Sequence, residues 1–509
     1  MKNQLKIGSL LSYVQMAINI IIHLIYTPIM IRLLGQSEYG LYNTVASAMS
    51  MLSLLSLGFN SGYIRYYAIY KRNDDKGSIS KLNGLFLIIF LIIGVVGLLC
   101  GSFLSFHLNI IFDNGLTENE YGIARILSLL LTINLSVSFP MSVFTTIINA
   151  HEKFIFMKIV GMIKTVFSPL ITLPLLLLGF RSIAMVSVTV GMSLFCDILY
   201  LWFVFFKMKE KFVFRNFEKG IFKSLFAYTF FIALNMLIEQ VNWNIDKLLL
   251  GRFKGTSEVA IYSVGYTLYS LYMMFSTSVS SVFTPRIHKL VNDNKNDLEK
   301  QKSVLTDIFV RVGRIQFLIL GLVLTGVIFF GHYFIVNIWA GEGYEKSYWV
   351  AVIAMTPTIV PLMQNMGIEI QRAQNRHQFR SIIYSVMAVV NLLLSIYLCQ
   401  IYGAIGSIIG TAVAAVIAYG IIMNIYYNTK CNIDIPNFWK NILRMSLGLI
   451  IPCFLGAIIL KTGLVTSLTR FCFFVIAYTL VYCGSMWFIS MNDYEKDLIR
   501  SPIKRILHL

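Results

Sequence analysis

Charged and amide side chains interrupt the apolar stretches of this 509-residue chain at a few positions. Between residues 224 and 250, Asn235, Glu239, Asn242 and Asp246 recur at intervals of four, three and four. That spacing places all four on one face of an α-helix. A carboxylate in such a setting can bind a proton or a cation, and an amide can hydrogen-bond a polar ligand. The stripe therefore predicts a face that lies against water or a partner, not against lipid.

A second polar stripe lies near the amino terminus. Gln15, Asn19 and His23 recur every four residues and also share one helical face. Glu239, Asp246 and His23 are therefore the candidates in these stripes for binding a proton or a small cation. For His23 the simpler interpretation is a hydrogen-bonded residue of the core, and for Asp246 it is a position at the end of its segment.

Three cations lie within apolar segments, where an unpaired charge is costly and normally faces a cavity or a partner. They are Arg125, Lys164 and Lys247. Each also has a simpler interpretation. Arg125 and Lys164 can extend their charged ends to the nearest membrane surface, and Lys247 can mark the boundary of its segment. Gln364 lies near two prolines, which can bend a helix.

Membrane-spanning helices are the elements that must position these residues. Hydrophobic residues make up 57% of the chain and charged residues 13%, against roughly 45–50% and 25% in soluble domains. The apolar runs are continuous and long, whereas barrel strands would alternate over about ten residues. We therefore predict an all-α, polytopic membrane protein. Its fourteen transmembrane segments are predicted at residues 10–32, 40–64, 82–108, 123–148, 157–180, 183–206, 224–250, 258–285, 306–330, 347–370, 381–401, 404–428, 442–460 and 468–490.

The basic residues predict the orientation. The net charge is +18, and if the amino terminus is cytoplasmic, cytoplasmic loops and tails hold 32 of the 42 Lys and Arg residues, against 7 on the opposite side. This bias follows the positive-inside rule, so both termini are predicted to be cytoplasmic. The charge suits anionic membrane lipids, and nucleic acid is not expected as a partner. We call the side with both termini and the loops at 65–81, 207–223 and 286–314 the basic face.

The loops exclude much chemistry. The longest gap between predicted spans is 286–305 on the cytoplasmic side and 331–346 on the outer side, and both are too short for a soluble catalytic domain. The sequence has no Walker A, His-Glu-x-x-His or Gly-x-Ser-x-Gly pattern. Its seven cysteines form no Cys-x-x-Cys pair. We therefore expect no enzyme activity, no metal site and no cofactor.

An internal repeat organises the chain. Leu33-Leu34-Gly35 matches Leu249-Leu250-Gly251 at an offset of 216, and a Ser-Glu-x-x-x-Tyr pattern beginning at Ser37 recurs at Ser257 with an offset of 220. The period is six spans, and an even number gives both halves the same orientation. We predict a first lobe at residues 1–220, a second lobe at 221–430, and two added helices with a cytoplasmic tail at 431–509.

These features resemble the Wzx-type oligosaccharide flippases, in the polysaccharide-transport branch of the multidrug/oligosaccharidyl-lipid/polysaccharide exporter (MOP) superfamily. The resemblance lies in the Leu-Leu-Gly-x-x-Glu-Tyr-Gly-Leu-Tyr signature at 33–42, in Asp246 to Gly251 after the polar stripe, and in the number of spans. It implies two six-helix lobes in a V shape. It also implies alternating access that moves undecaprenyl-diphosphate-linked oligosaccharide across a bacterial inner membrane for surface polysaccharide. Polymerases and glycosyltransferases would be partners.

The resemblance also implies roles for particular residues. A diphosphate needs cations, and a sugar needs amide and aromatic partners. Na⁺ or H⁺ would be the coupling ion at the candidates given above. The residues expected to bind the diphosphate and the sugar are Arg65, Arg125, Lys164, Lys247, Asn19, Asn60, Asn235, Asn242, Trp243 and Gln364.

Two other functions remain open from the sequence. A cation-coupled exporter of drugs or small molecules would depend on the acidic stripe and would need no cation in the cavity. A membrane-embedded polymerase or ligase of lipid-linked sugars would need a large external loop with catalytic groups, and no such loop is present.

Overall fold

The computed structural model describes residues 2–112, 116–217, 220–293, 297–376 and 378–506, and every regular element in them is a helix. The α-helices are α1 (Lys2–Leu34), α2 (Gln36–Met51), α3 (Phe59–Arg72), α4 (Lys76–Phe106), α5 (Glu118–Ala150), α6 (Phe154–Leu177), α7 (Arg181–Trp202), α8 (Ile221–Phe253), α9 (Thr256–Asp293), α10 (Leu298–Tyr333), α11 (Glu345–Met363), α12 (Met366–Ala373), α13 (Gln378–Ala415), α14 (Met423–Thr429), α15 (Ile435–Ser446), α16 (Ile450–Thr462), α17 (Leu468–Ser485) and α18 (Asp493–Ile506). Short 3₁₀ and π-helical turns join several of them.

The helices confirm a polytopic, all-α membrane protein. In the described parts of the chain, ten helices are long and apolar enough to cross a bilayer, or eleven if the bent pair α11 and α12 counts as one span. Predicted span 40–64 falls on the shorter helices α2 and α3, and span 258–285 falls within α9. Spans 381–401 and 404–428 share the single apolar stretch Gln378–Thr429. The total of fourteen therefore stays a prediction.

That stretch contains a break where the sequence predicts a turn. Gly403 has φ of 61° and ψ of −134°, a conformation that side-chain-bearing residues rarely adopt. α13 is thus two helices joined at Gly403, in the gap between the two predicted spans.

The chain forms two compact units. The first comprises Met1–Ser263 and Ile396–Ser407. In it α4 packs closely on α5 because Gly94, Gly97 and Gly101 face α5 and leave no room for a side chain. An aromatic core that includes Tyr63, Phe86 and Phe90 fills the space beside them.

The second unit comprises Val264–Ser395 and Ile408–Leu509. Its core contains Phe309, whose ring packs edge-on against those of Tyr427 and Phe438. The two added helices α16 and α17 pack on α10. There the Tyr482 hydroxyl donates to the Leu318 carbonyl at 2.9 Å, and Gly456 lies against the ring of Phe329. The lobe boundaries at 220 and 430 stay a prediction.

The repeated Ser-Glu motif makes the same contact twice. Glu38 accepts a hydrogen bond at 2.9 Å from the backbone N–H of Ser182, in the first turn of α7. Glu258, its equivalent at an offset of 220, accepts at 2.7 Å from the N–H of Ala404, directly after the Gly403 break. Each carboxylate thus occupies the N-terminus of a helix, where unpaired N–H groups and the helix dipole favour an anion. The recurrence supports the repeat and explains why its motif contains glutamate.

We expect Glu38→Ala and Glu258→Ala each to lower the free energy of unfolding by about 1–2 kcal/mol, because each removes a helix cap. Glu342→Ala is the matched control, since Glu342 is exposed in a loop; its effect should stay within about 0.5 kcal/mol. Unfolding of the purified protein in detergent measures all three. Equal stability of Glu342→Ala and the other two variants would contradict the capping role.

Candidate functional site

The polar stripe lies on α8, which spans 33 residues or about 50 Å. Asp246, near the end of α8 away from the basic face, is 1% exposed. The Tyr262 hydroxyl donates to its Oδ2 and the Ser407 hydroxyl to its Oδ1, both at 2.7 Å. The hydroxyl donors stabilise the ionised carboxylate, and the carboxylate and hydroxyl oxygens together are ligands of the kind that a small cation prefers.

The middle of α8 has a different environment. Glu239, Asn235 and Trp243 are exposed, and Asn242 is half-buried. Glu239 lies 18 residues from the start of α8, about 27 Å along it and near its midpoint. The residues of the predicted stripe therefore have two different environments. Side chains enclose Asp246, whereas Glu239 lies on an exposed surface.

An amide chain connects α8 to the first half of the protein. The Asn244 amide donates to Gln240 Oε1 at 2.6 Å, and the Gln240 amide donates to the Ser53 hydroxyl at 3.0 Å. Ser53 lies in the 3₁₀ turn Leu52–Ser56 between α2 and α3. Close by in α3, Asn60 Oδ1 is buried and has no hydrogen-bond partner in the described structure.

The first-helix stripe lies on α1. His23 is exposed, Asn19 is half-buried, and Gln15 lies against Gly161 of α6. Gln15 therefore packs on α6, whereas His23 is exposed, so the three residues do not share one environment. Gln364 belongs to the second unit, where its amide donates to Asn424 Oδ1 at 2.8 Å.

The four cations predicted to bind a diphosphate lie apart. Arg65 in α3 has its guanidinium 4.4 Å from the ring centroid of Tyr228, and Arg125 in α5 lies 5.4 Å from that of Phe106. Lys164 in α6 is half-buried and attracted electrostatically by Asp197 of α7, whose Oδ2 is buried without a hydrogen-bond partner in the described chain.

Depth separates Arg125 from Lys164. The turn at 151–153 joins α5 to α6 on the basic face. Arg125 lies 25 residues before Ala150, about 38 Å from the turn, while Lys164 lies 10 residues after Phe154, about 15 Å from it. One diphosphate cannot touch both side chains at once. Lys247 is half-buried beside Asp246, also far along its helix from the basic face.

Several participants were not predicted as site residues. Tyr262 and Ser407 carry hydroxyls that reach Asp246 only because the fold brings them there across 16 and 161 residues of chain. Ser53 and Asn424 are likewise ordinary polar residues in sequence. The Tyr262 signal was available, since the repeated Ser-Glu-x-x-x-Tyr motif includes this tyrosine.

Ionisable and amide groups inside the spans of a polytopic helical protein are typical of membrane transporters in the broad sense, which includes flippases. Residues 5–291, more than half of the chain, match the family described as "Polysaccharide biosynthesis protein", so the chain belongs to this family. No curated protein matches the chain by sequence.

Solved structures show the same fold. The lipid II flippase MurJ in an inward closed conformation has a TM-score of 0.70 and 17% identity, covering 97% of this chain and 99% of that one. An inward-facing multidrug resistance MATE family transporter of the MOP superfamily has 0.57 and 13%, covering 79% and 98%. A MOP superfamily transporter from Pyrococcus furiosus has 0.56 and 13%, covering 83% and 96%. The all-α polytopic fold that the resemblance predicted is thus confirmed, whereas its two six-helix lobes stay a prediction.

Proposed function

We propose that this protein is a flippase for undecaprenyl-diphosphate-linked oligosaccharide, which it moves from the cytoplasmic to the outer leaflet for surface polysaccharide synthesis. The family membership and the whole-length likeness to a lipid II flippase support a lipid-linked sugar as substrate. The observation that carries the proposal is the staggered depth of Arg65, Lys164 and Arg125 in one unit.

Staggered cations suit an anionic headgroup that has to travel. The hydrocarbon core is about 30 Å thick and solvates neither a diphosphate nor sugar hydroxyls. A single deep cationic site would trap a diphosphate, whereas successive weaker sites let it advance. Arg65 and Lys164 lie near the basic face and would receive the diphosphate, and Arg125 with Lys247 would release it. The exposed Asn235 and Trp243 and the half-buried Asn19 and Asn242 would contact the sugar, with Asn60 and Gln364 as further amides.

The proposal also implies a membrane, an orientation and partner enzymes for this protein. The basic face and both termini would be cytoplasmic, in the inner membrane of a bacterium. Lobes 1–220 and 221–430 would alternate access, and 431–509 would be accessory. Glycosyltransferases would supply the substrate, and polysaccharide polymerases would consume it.

Asp246 would bind the coupling Na⁺ or H⁺. The offset of 216 pairs Asp246 with Met30 in the first half, so the carboxylate breaks the repeat at a buried position. A buried charge is costly, and here only one of the two equivalent positions of the repeat carries one. A functional role for Asp246 best explains this difference. His23 and Glu239, which are exposed, would serve as alternative proton carriers.

The buried carboxylate of Asp246 also favours a second candidate function, a cation-coupled exporter of small molecules. A buried carboxylate together with the fold of multidrug transporters would suffice for that activity. Reconstituted vesicles separate the two functions. A fluorescent undecaprenyl-diphosphate-linked oligosaccharide should become accessible to a membrane-impermeant quencher only with the protein present. Drug uptake without any lipid-linked sugar movement would overturn the flippase proposal.

Lys164→Gln should reduce flipping about ten- to hundredfold, because one charge-assisted contact to phosphate contributes about 1.5–3 kcal/mol. The control is Lys461→Gln, which removes an equal charge from an exposed position at the end of α16. Rates are compared at equal amounts of protein in the vesicles. Wild-type flipping by Lys164→Gln would remove Lys164 from the route.

A further inference from the structure

A cavity of about 140 Å³ lies inside the second unit. Helices α9, α11, α12, α13 and α14 line it, together with the π-helical turn Val416–Ile422. Its polar wall combines one arginine, Arg380, with four tyrosines at positions 269, 384, 419 and 427. None of the described residues that line it is acidic.

Arg380 has no acidic partner among the described residues. Its guanidinium lies 4.5 Å from the ring centroid of Tyr384, a cation–π contact that offsets part of the cost of burial. Its Nε is nevertheless buried without a hydrogen-bond partner, and Arg380 forms no ion pair within the described part of the chain. A buried donor on a charged group is costly when it stays unpaired, so the site favours an anion.

The tyrosines are arranged around the arginine. The rings of Tyr384 and Tyr419 pack edge-on with centroids 4.9 Å apart. Tyr427 is 4% exposed, and its ring fills the space beside Gly367, where a side chain would collide with it. Phenolic O–H groups donate to anions while their rings exclude water, which strengthens the attraction to the guanidinium.

Two walls of the cavity depart from α-helical geometry. α11 and α12 meet at a bend of 42°, and Tyr419 lies within the π-helical turn. Irregular backbone at membrane depth is tolerated where it is buried in protein or lines a cavity, and π-helical turns are frequent at functional sites. Both departures occur where the lining side chains are presented.

A hydrogen-bond network fixes these walls before any ligand binds. Asn424 Oδ1 accepts from the Gln364 amide at 2.8 Å and from the Trp439 indole at 3.0 Å. The Asn424 amide donates to the backbone carbonyl of Tyr419 at 2.8 Å. The bend, the π-helical turn and α15 are therefore tied to one side chain, and the cavity is preorganised.

We propose that this cavity is a binding site for a small inorganic anion, of the size of chloride or phosphate, held by Arg380 and the surrounding tyrosine hydroxyls. Pockets for drug-sized ligands span about 300–1,000 Å³, so the volume excludes a sugar headgroup. Of the residues that line it, only Gln364 is also proposed to contact the sugar, and the anion proposal does not depend on that route. Because the anion would contact both irregular walls, its binding would stabilise the bend between α11 and α12.

Binding of radiolabelled chloride and of radiolabelled phosphate to the purified full-length protein in detergent tests the proposal. We expect at least one of the two to bind saturably, with no competition from gluconate, which is too large for the cavity. Chloride binding would identify a halide site and phosphate binding an oxyanion site. If neither anion binds saturably to the wild-type protein, the cavity holds water and the proposal fails.

Arg380→Gln should weaken that binding at least about tenfold, since it removes a charged donor. Arg376→Gln is the control, because Arg376 is exposed and lies outside the cavity lining. Tyr384→Phe keeps the ring and removes one hydroxyl, so it should weaken binding by a smaller factor even if Arg380→Gln does not fold. Wild-type affinity in a folded Arg380→Gln protein, or in Tyr384→Phe when Arg380→Gln does not fold, would overturn the assignment.

Discussion

Replacement of Arg314 by glutamine is expected to lower the free energy of unfolding by about 3–5 kcal/mol, among the largest effects of any single substitution in this protein. Arg314 in α10 and Glu495 in α18 form an ion pair whose side chains are 6% and 1% exposed. The guanidinium donates to both carboxylate oxygens, at 2.5 and 2.9 Å. Without Arg314 the carboxylate would stay buried with no counter-charge.

Further hydrogen bonds connect the Arg314–Glu495 pair to other helices. Arg314 also donates to the backbone carbonyls of Asn441, at 3.3 Å, and Ser490, at 2.8 Å. Glu495 accepts from the N–H of Asn492 at 3.0 Å, at the start of α18. The residues therefore connect α10, α15 and the C-terminal helix. Glu495→Gln should cost less than Arg314→Gln, because the arginine keeps two carbonyl acceptors.

Arg311→Gln is the matched control for Arg314→Gln. Arg311 pairs with Asp307 one turn earlier in α10, but the two side chains are 44% and 55% exposed. Exposed pairs contribute about 0–1 kcal/mol, so this variant should unfold almost as the wild type does. Denaturant unfolding in detergent, followed for both variants and for Glu495→Gln, gives the comparison. A similar small loss for Arg314→Gln and Arg311→Gln would show that burial of the pair contributes nothing.

The repeat shows how far the sequence could lead. The offsets of 216 and 220 predicted equivalent halves, and the contacts of Glu38 and Glu258 agree with that prediction. Their capping role was not predictable, because each partner N–H lies about 145 residues further along the chain, and no local pattern marks it.

The polar stripe shows where periodicity stops being informative. A spacing of four, three and four places Glu239 and Asp246 on one helical face, but it does not say what covers that face at each depth. Tyr262 and Ser407 enclose Asp246, whereas Glu239 is exposed. By contrast, the different depths of Arg125 and Lys164 follow from counting residues to their common turn, so the sequence alone predicts them.

The cavity around Arg380 was predictable from the sequence only in part. Pro357 and Pro361 precede the bend between α11 and α12, as the sequence predicted for that segment. The π-helical turn at Val416–Ile422 has no comparable signal, because its residues are ordinary apolar ones with a single tyrosine and glycine. Such a turn results from packing against neighbouring helices, which a one-dimensional pattern does not contain.

Asp246→Asn should reduce flipping at least about tenfold, the equivalent of about 1.4 kcal/mol, and should abolish the response to a sodium or proton gradient. Asparagine has nearly the same shape and keeps one oxygen acceptor for Tyr262 or Ser407, so the protein should still fold. It lacks the negative charge that a cation needs and the site that a proton would occupy. Flipping by reconstituted protein, driven in turn by each gradient, measures both effects.

Tyr262→Phe separates this coupling role from a structural one. It removes one hydrogen bond to Asp246 and leaves the carboxylate in place. We expect it to cost about 1 kcal/mol of stability while the response to the gradient persists. A structural Asp246 would instead make Asp246→Asn resemble Tyr262→Phe, with lower stability and an unchanged gradient response. That outcome would exclude Asp246 as the coupling residue and would direct attention to Glu239, which no described side chain encloses.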